Sequence, residues 1–158
     1  MSNNSGGDPA LPPIEERISF MIHRVNAQLA RLCNPFFARY DLDLYSSRIL
    51  VVLLEKDTVR VGELVDLMAL PQSTISHQLR RLEKQGLIKR HRLQDDNRSV
   101  VVSLTQKGLV TGKECNVLSQ TVFNAMIDGI PAEDLEVLKK HMTAMYDRLK
   151  SFDYSSIK

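Results

Sequence analysis

The sequence predicts a mainly α-helical chain with one small β-hairpin, on three observations. Apolar residues recur at helical spacing near both ends, a short helix, turn and longer helix occupy the middle, and two β-rich runs joined by a charged loop follow directly. The 158 residues suffice for one domain with a real core and fall short of two independent ones.

From Ile14 the apolar positions are Ile14, Ile18, Met21, Ile22, Val25, Leu29, Leu32 and Phe36, steps of three and four that mark one striped helix. Pro35 is expected to break or kink it, with Asn34 capping a short continuation to Tyr40. Residues 41–44 read as a turn and 45–56 (YSSRILVVLLEK) as a helix buried on most sides. Residues 61–68 form a short helix with Leu64, Val65 and Met68 inward, Ala69, Leu70 and Pro71 the turn, and 72–85 the next helix. Gly86 stands where a helix end wants a left-handed residue, letting Leu87 pack back on Leu82. Residues 87–93 and 99–104 pair as a hairpin around Gln94-Asp95-Asp96-Asn97-Arg98. Thr105 caps a long helix to about Gly129, and Pro131 opens the last helix at its first position, with Glu133 and Asp134 in the favourable first turn.

This order makes a winged helix-turn-helix core, at 41–104, flanked by an N-terminal helix at 14–40 and C-terminal helices at 105–153. Residues 1–13, rich in Ser, Asn, Gly and Pro, are expected to be a disordered tail. They lack the basic start and apolar stretch of a signal peptide, and no apolar run nears the roughly 18 residues that cross a bilayer, so a cytoplasmic protein is expected.

Winged helices grip duplex DNA, and the charge distribution agrees. Net charge is only +2. Yet Arg80, Arg81, Lys84, Lys89, Arg90, Arg92 and Arg98 stand against Glu83, Asp95 and Asp96, a local excess that suits a polyanion. On a helical wheel Ile75, Leu79 and Leu82 face the core. Ser73, His77, Arg80 and Lys84 centre on the opposite side, with Thr74, Ser76 and Arg81 beside them. Small hydroxyls near the N-terminus let the backbone approach base edges or phosphates, Arg and His reach guanine acceptors, and Lys84 and Arg81 meet phosphate. A solvated basic face would carry the same residues; the adjoining turn and hairpin favour the DNA reading. At the hairpin tip Arg98 can enter the narrow minor groove while Asp96 shapes the wing by pairing with an arginine.

Other chemistry finds little support. There is no Gly-rich phosphate loop, nucleophile elbow or apolar carboxylate pair, so no catalytic residues and no enzyme are expected. Cys33 and Cys115 stand far apart and read as buried, inert thiols. The four histidines, His23, His77, His91 and His141, have no metal-ligand spacing, so neither a metal nor a cofactor is expected.

Leu70 to Gly108, LPQSTISHQLRRLEKQGLIKRHRLQDDNRSVVVSLTQKG, resembles the core of MarR-type transcriptional regulators. The family's wing carries Asp-x-Arg-Ser/Thr, matched by Asp96, Arg98 and Ser99, then Leu-Thr-x-Lys-Gly, matched from Leu104 to Gly108. Pro71 departs from the Ser or Asp that many relatives have there. The resemblance implies an intertwined homodimer whose flanking helices pair, binding an inverted repeat as a repressor and released by a small molecule or oxidant. The near-heptad stripes of the terminal helices fit such pairing. An aromatic acid is the effector type implied, with His23, Phe36, Tyr40, Tyr45 and Arg48 the candidate liners, and His23, Tyr45 and Arg48 the site residues. Arg48 could clasp a carboxylate, though it could equally pair a structural acid. Two rival readings remain: a sequence-blind DNA coater, and a winged-helix protein–protein adaptor.

Overall fold

The computed structural model describes residues 11–93, 96–153 and 155, and the side chains of 93–99 lie outside the description. The expectations for a tail over 1–10, and for the loop residues Gln94 and Asp95, therefore fall outside the described residues. The elements run α1 (Ile18–Phe37), α2 (Leu44–Lys56), β1 (Thr58–Arg60), α3 (Val61–Met68), α4 (Gln72–Lys84), β2 (Ile88–Leu93), β3 (Asp96–Leu104), α5 (Gln106–Ile127) and α6 (Ala132–Lys150). The chain divides into two compact units inside α5, between Leu118 and Ser119.

In the first unit, α1 starts at Ile18 rather than Ile14, behind a single 3-10 turn at Ile14–Glu16. Pro35 does not break it, contrary to expectation: the α-helix runs through to Phe37. A proline this near a helix end forfeits a single backbone bond, and Phe37, fully buried, holds the final turn against the core. Asn34 also has another task. Its Oδ1 accepts the Leu44 N–H at 2.9 Å, tying α1 to the start of α2. Asp43 completes that start. Its Oδ1 accepts from the Ser46 N–H and the Ser46 hydroxyl accepts from the Asp43 N–H, both at 2.8 Å, a reciprocal capping box.

β1 was not expected from the sequence. Its three residues pair antiparallel with β3, Thr58 opposite Ser103 and Arg60 opposite Val101, giving a sheet of order β1-β3-β2. The hairpin pairs Lys89 with Ser103 and His91 with Val101. Leu50, Leu53, Leu64, Ile75, Leu79, Leu82 and Val102 fill the core between this sheet and the helices.

α4 ends as expected. Gly86 adopts φ +70°, the Leu87 N–H bonds to the Leu82 carbonyl at 3.0 Å, and the Gly86 N–H to the Glu83 carbonyl at 2.9 Å. The Leu-Thr-x-Lys-Gly run clamps this end to α5. Thr105 Oγ1 accepts the Gly108 N–H at 3.0 Å and donates toward the Gly86 carbonyl at 2.6 Å, while Lys107 Nζ reaches the Gln85 carbonyl at 2.9 Å.

The second unit holds the end of α5 and α6. Gly129 turns the chain at φ +76°, and Pro131 is the N-cap of α6 rather than its first residue. No residue of α6 is buried. Among the described residues no helix is long and apolar enough to cross a membrane.

Candidate nucleic-acid interface

The packing of α4 separates its faces. Ile75, Leu79 and Leu82 are buried, with Gln78 nearly so. Ser73, His77, Arg80 and Lys84 are exposed on the opposite arc, and Thr74 and Ser76 are half-buried at its margins. Pro71 gives α4 no side-chain cap, so among the described residues the first-turn N–H groups have no capping side chain. The helix thus presents short hydroxyls and free amides at one end and cations at the other.

Arg81 is placed differently from its neighbours. It turns sideways to the corner between α1 and α2, where it donates to the Asp41 backbone carbonyl, lies 3.0 Å from Asp41 Oδ1 and 3.6 Å from Asp43 Oδ2. Gln85 joins it, donating to Asp41 Oδ2 at 2.7 Å and to the Asp41 carbonyl at 2.9 Å. Gln78 donates to Asp43 Oδ2 at 3.3 Å. The Gln85 amide and then Arg81 hold the Asp41 carboxyl below the ordinary range. Burial alone would raise Asp43; its bonds from Ser46 and Gln78, with the Arg81 charge, outweigh that and hold it low. This cluster fixes the rotation of α4 against the rest of the unit.

On the wing, Lys89, Arg90, His91 and Arg92 are exposed along β2. Arg90 bonds to Glu83 of α4, which keeps the glutamate ionised below its usual range and raises the arginine. Asp96 and Arg98 lie in β3 by backbone, and their side chains fall outside the described residues.

The candidate effector residues are gathered only in part: Phe36 packs on Tyr40, Tyr45 and Arg48 are three residues apart on α2, and His23 is set apart on α1. His23 is exposed on α1 and stacks on Phe20, ring centres 5.9 Å apart. Tyr45 and Arg48 are exposed on α2. Cys33, whose thiol burial pushes up, feels the opposing charge of Arg48. The ten helical steps from His23 to Cys33 rise about 15 Å, so His23 stands well away from that contact within one chain. Phe36 packs on Phe37 and Tyr40 and lies under Arg39, while the neighbouring Glu114 pushes the Tyr40 hydroxyl above its usual range. Cys115 is fully buried, with its thiol pushed up to about 11. Among the described residues no group of three or more His, Cys, Asp or Glu side chains could hold a metal ion.

Sequence reasoning missed Asp41, Asp43, Gln78 and Gln85. Arg81 in α4 and Gln85 at its C-cap sit one turn apart, a spacing that hinted at a shared partner without naming it. It also missed Arg60, which leads into α3 beside α4.

A short helix, a turn and an exposed polar helix, followed by a basic hairpin, define a winged helix-turn-helix protein. The family model for the transcriptional regulators SarA and Rot matches residues 31–114, and the chain belongs to that MarR-like family. It is 31% identical over 113 residues to the HTH-type transcriptional regulator MgrA of Staphylococcus aureus, covering 71% of this chain and 77% of MgrA. It is 25% identical over 138 residues to the organic hydroperoxide resistance transcriptional regulator of Bacillus subtilis, covering 87% and 90%. The fold matches S. aureus MepR in its DNA-binding conformation at TM-score 0.78 and 18% identity, over 84% of this chain and 98% of that one. It matches an E. coli MarR mutant complexed with operator DNA at TM-score 0.70 and 21% identity, over 85% and 99%. The protein is a DNA-binding transcriptional regulator, and its family consists of regulators rather than enzymes.

Proposed function

We propose that this regulator acts as a homodimeric repressor that reads an inverted-repeat operator and is released by a small-molecule effector. The observation that carries the reading is the exposed arc of α4, which points away from the core beside a basic hairpin. In this reading Ser73, Thr74, Ser76, His77 and Arg80 approach base edges in the major groove, Lys84 holds phosphate, and Arg98 enters the minor groove from a tip shaped by Asp96. Arg81, already balanced by two carboxylates, positions the helix instead of contacting DNA.

Two uncovered apolar stripes support the dimer. Ile18, Met21, Ile22 and Val25 are exposed along α1, and Val137, Leu138, Met142 and Leu149 along α6. Solvated monomers rarely leave such contiguous stripes bare, and a second copy would bury them about a two-fold axis. That axis would set two α4 helices on half-sites about one helical turn apart. For the effector, Arg48 is the exposed cation that would pair the carboxylate of an aromatic acid, with Tyr45 beside it and His23 the third candidate.

Selection of the protein on a randomised duplex pool tests the reading. Enrichment of an inverted repeat, bound by two protomers and lost when one half-site is scrambled, is the expected result. Uniformly tight, steeply salt-dependent binding to every duplex would make the protein a sequence-blind coater. No binding to any duplex would leave the adaptor role.

A further inference from the structure

A cleft of about 450 Å³ lies along one flank of α4, walled by Arg60 and Glu63 from the start of α3, by Gln72 and Ser76 from α4, and by Arg90 from the hairpin. Its charges are unevenly spent. Arg90 is taken by Glu83, and Glu63 by Lys56 at 3.1 Å. Arg60 makes no ion pair with any described residue, which leaves it the uncompensated cation of the cleft. On the opposite flank of α4, Arg81 is consumed by Asp41 and Asp43.

The seat of Arg60 is rigid although its side chain is exposed. Its backbone pairs with Val101 in the sheet and forms the N-cap of α3. The backbone that carries Arg60 therefore needs no ordering when it meets a ligand, and only the side chain is left to be immobilised. Across the cleft stand the Gln72 amide, the Ser76 hydroxyl and the uncapped first turn of α4, all able to donate to an anion.

We infer that Arg60, with Gln72, forms a phosphate clamp that holds the duplex backbone on the wing side of α4. The inference rests on the DNA reading above and adds to it a contact outside the basic stretch from Arg80 to Arg98. A helix lying in the major groove has a phosphate backbone along each side. Lys84 serves the C-terminal end of α4, and Arg60 and Gln72 serve the flank nearer its N-terminus. The clamp carries no base preference, so it fixes register and orientation rather than sequence.

The test is a salt titration of full-length protein on its selected duplex and on a random duplex, for the wild type, Arg60→Ala, Arg60→Lys and the charge-loss control Lys139→Ala on α6. The expected result is that Arg60→Ala weakens both duplexes by the same factor, roughly tenfold, and lowers the log–log salt slope by about one. Arg60→Lys should keep most of the slope, and Lys139→Ala should keep all of it. Unchanged affinity and slope in Arg60→Ala, with the wild type still binding, would overturn the clamp alone. A wild type that binds neither duplex would overturn the DNA reading and the clamp together. Coincident thermal melts of the variants would exclude misfolding as the cause.

Discussion

Gly108, in the first turn of α5, packs directly against the backbone carbonyl of Leu87: a Cβ built on it would lie 1.8 Å from that oxygen. The same oxygen accepts the Thr105 N–H at 3.0 Å, so it cannot turn away without breaking the clamp between α4 and α5. The glycine is required by close approach, since Gly108 is not among the residues of positive φ. Gly108→Ala should therefore destabilise the fold by about 3 kcal/mol, the upper end of overpacking costs, measured by urea denaturation. A loss below about 0.5 kcal/mol would show that the two helices separate easily.

Acid should loosen the seat of α4. Asp41, Asp43 and Glu83 are all held below the ordinary carboxylate range when folded. Each therefore contributes stability that is present above that range and is lost as pH falls through its lowered folded value. Melting temperature should hold steady from neutrality to about pH 5 and fall below about pH 4. Asp43→Asn keeps a capping oxygen but removes the charge that faces Arg81, and should flatten the fall. A melting curve of the variant as acid-sensitive as the wild type would remove Asp43 from the account.

The cations near α4 should separate into distinct classes. Lys84→Ala should weaken all duplexes alike and lower the salt slope by about one. Arg98→Ala should cost about 1–3 kcal/mol of binding to the selected duplex. Arg81→Ala should instead lower the melting temperature, and combining it with Asp41→Ala should add little, because the two form one unit. Additive losses in that double mutant would mean that Arg81 acts elsewhere.

Much of this was legible in the sequence because it is local. The limits of α3 and the glycine stop of α4 follow from periodicity and turn chemistry within a few residues. What escaped depends on distant partners. β1 has three residues, too few for an alternation to register, and exists because β3 pairs with it. Arg81 reads as one more outward cation until Asp41, 40 positions earlier, is seen to hold it. Pro35 reads as a break because its local cost is visible and the burial of Phe37 that offsets it is not. Arg60 lies outside the basic stretch and becomes notable when the folded cleft sets it beside Gln72.

The dimer has its own test. Val25→Glu on α1 or Leu138→Glu on α6 places a charge on a surface that is bare in one chain. Each variant should stay helical by circular dichroism yet sediment as a monomer, with operator affinity reduced at least a hundredfold. A monomeric wild type would contradict the two-fold reading outright.

The most direct test of the central claim is the ratio of affinities for the selected and scrambled duplexes, measured for the wild type and for His77→Ala with Arg80→Ala. If the exposed arc of α4 reads bases, the ratio should collapse toward one in the double variant, while much of the scrambled-duplex binding persists through the remaining cations. A ratio left at its wild-type value would show that sequence is read elsewhere, and α4 would lose its place as the recognition helix.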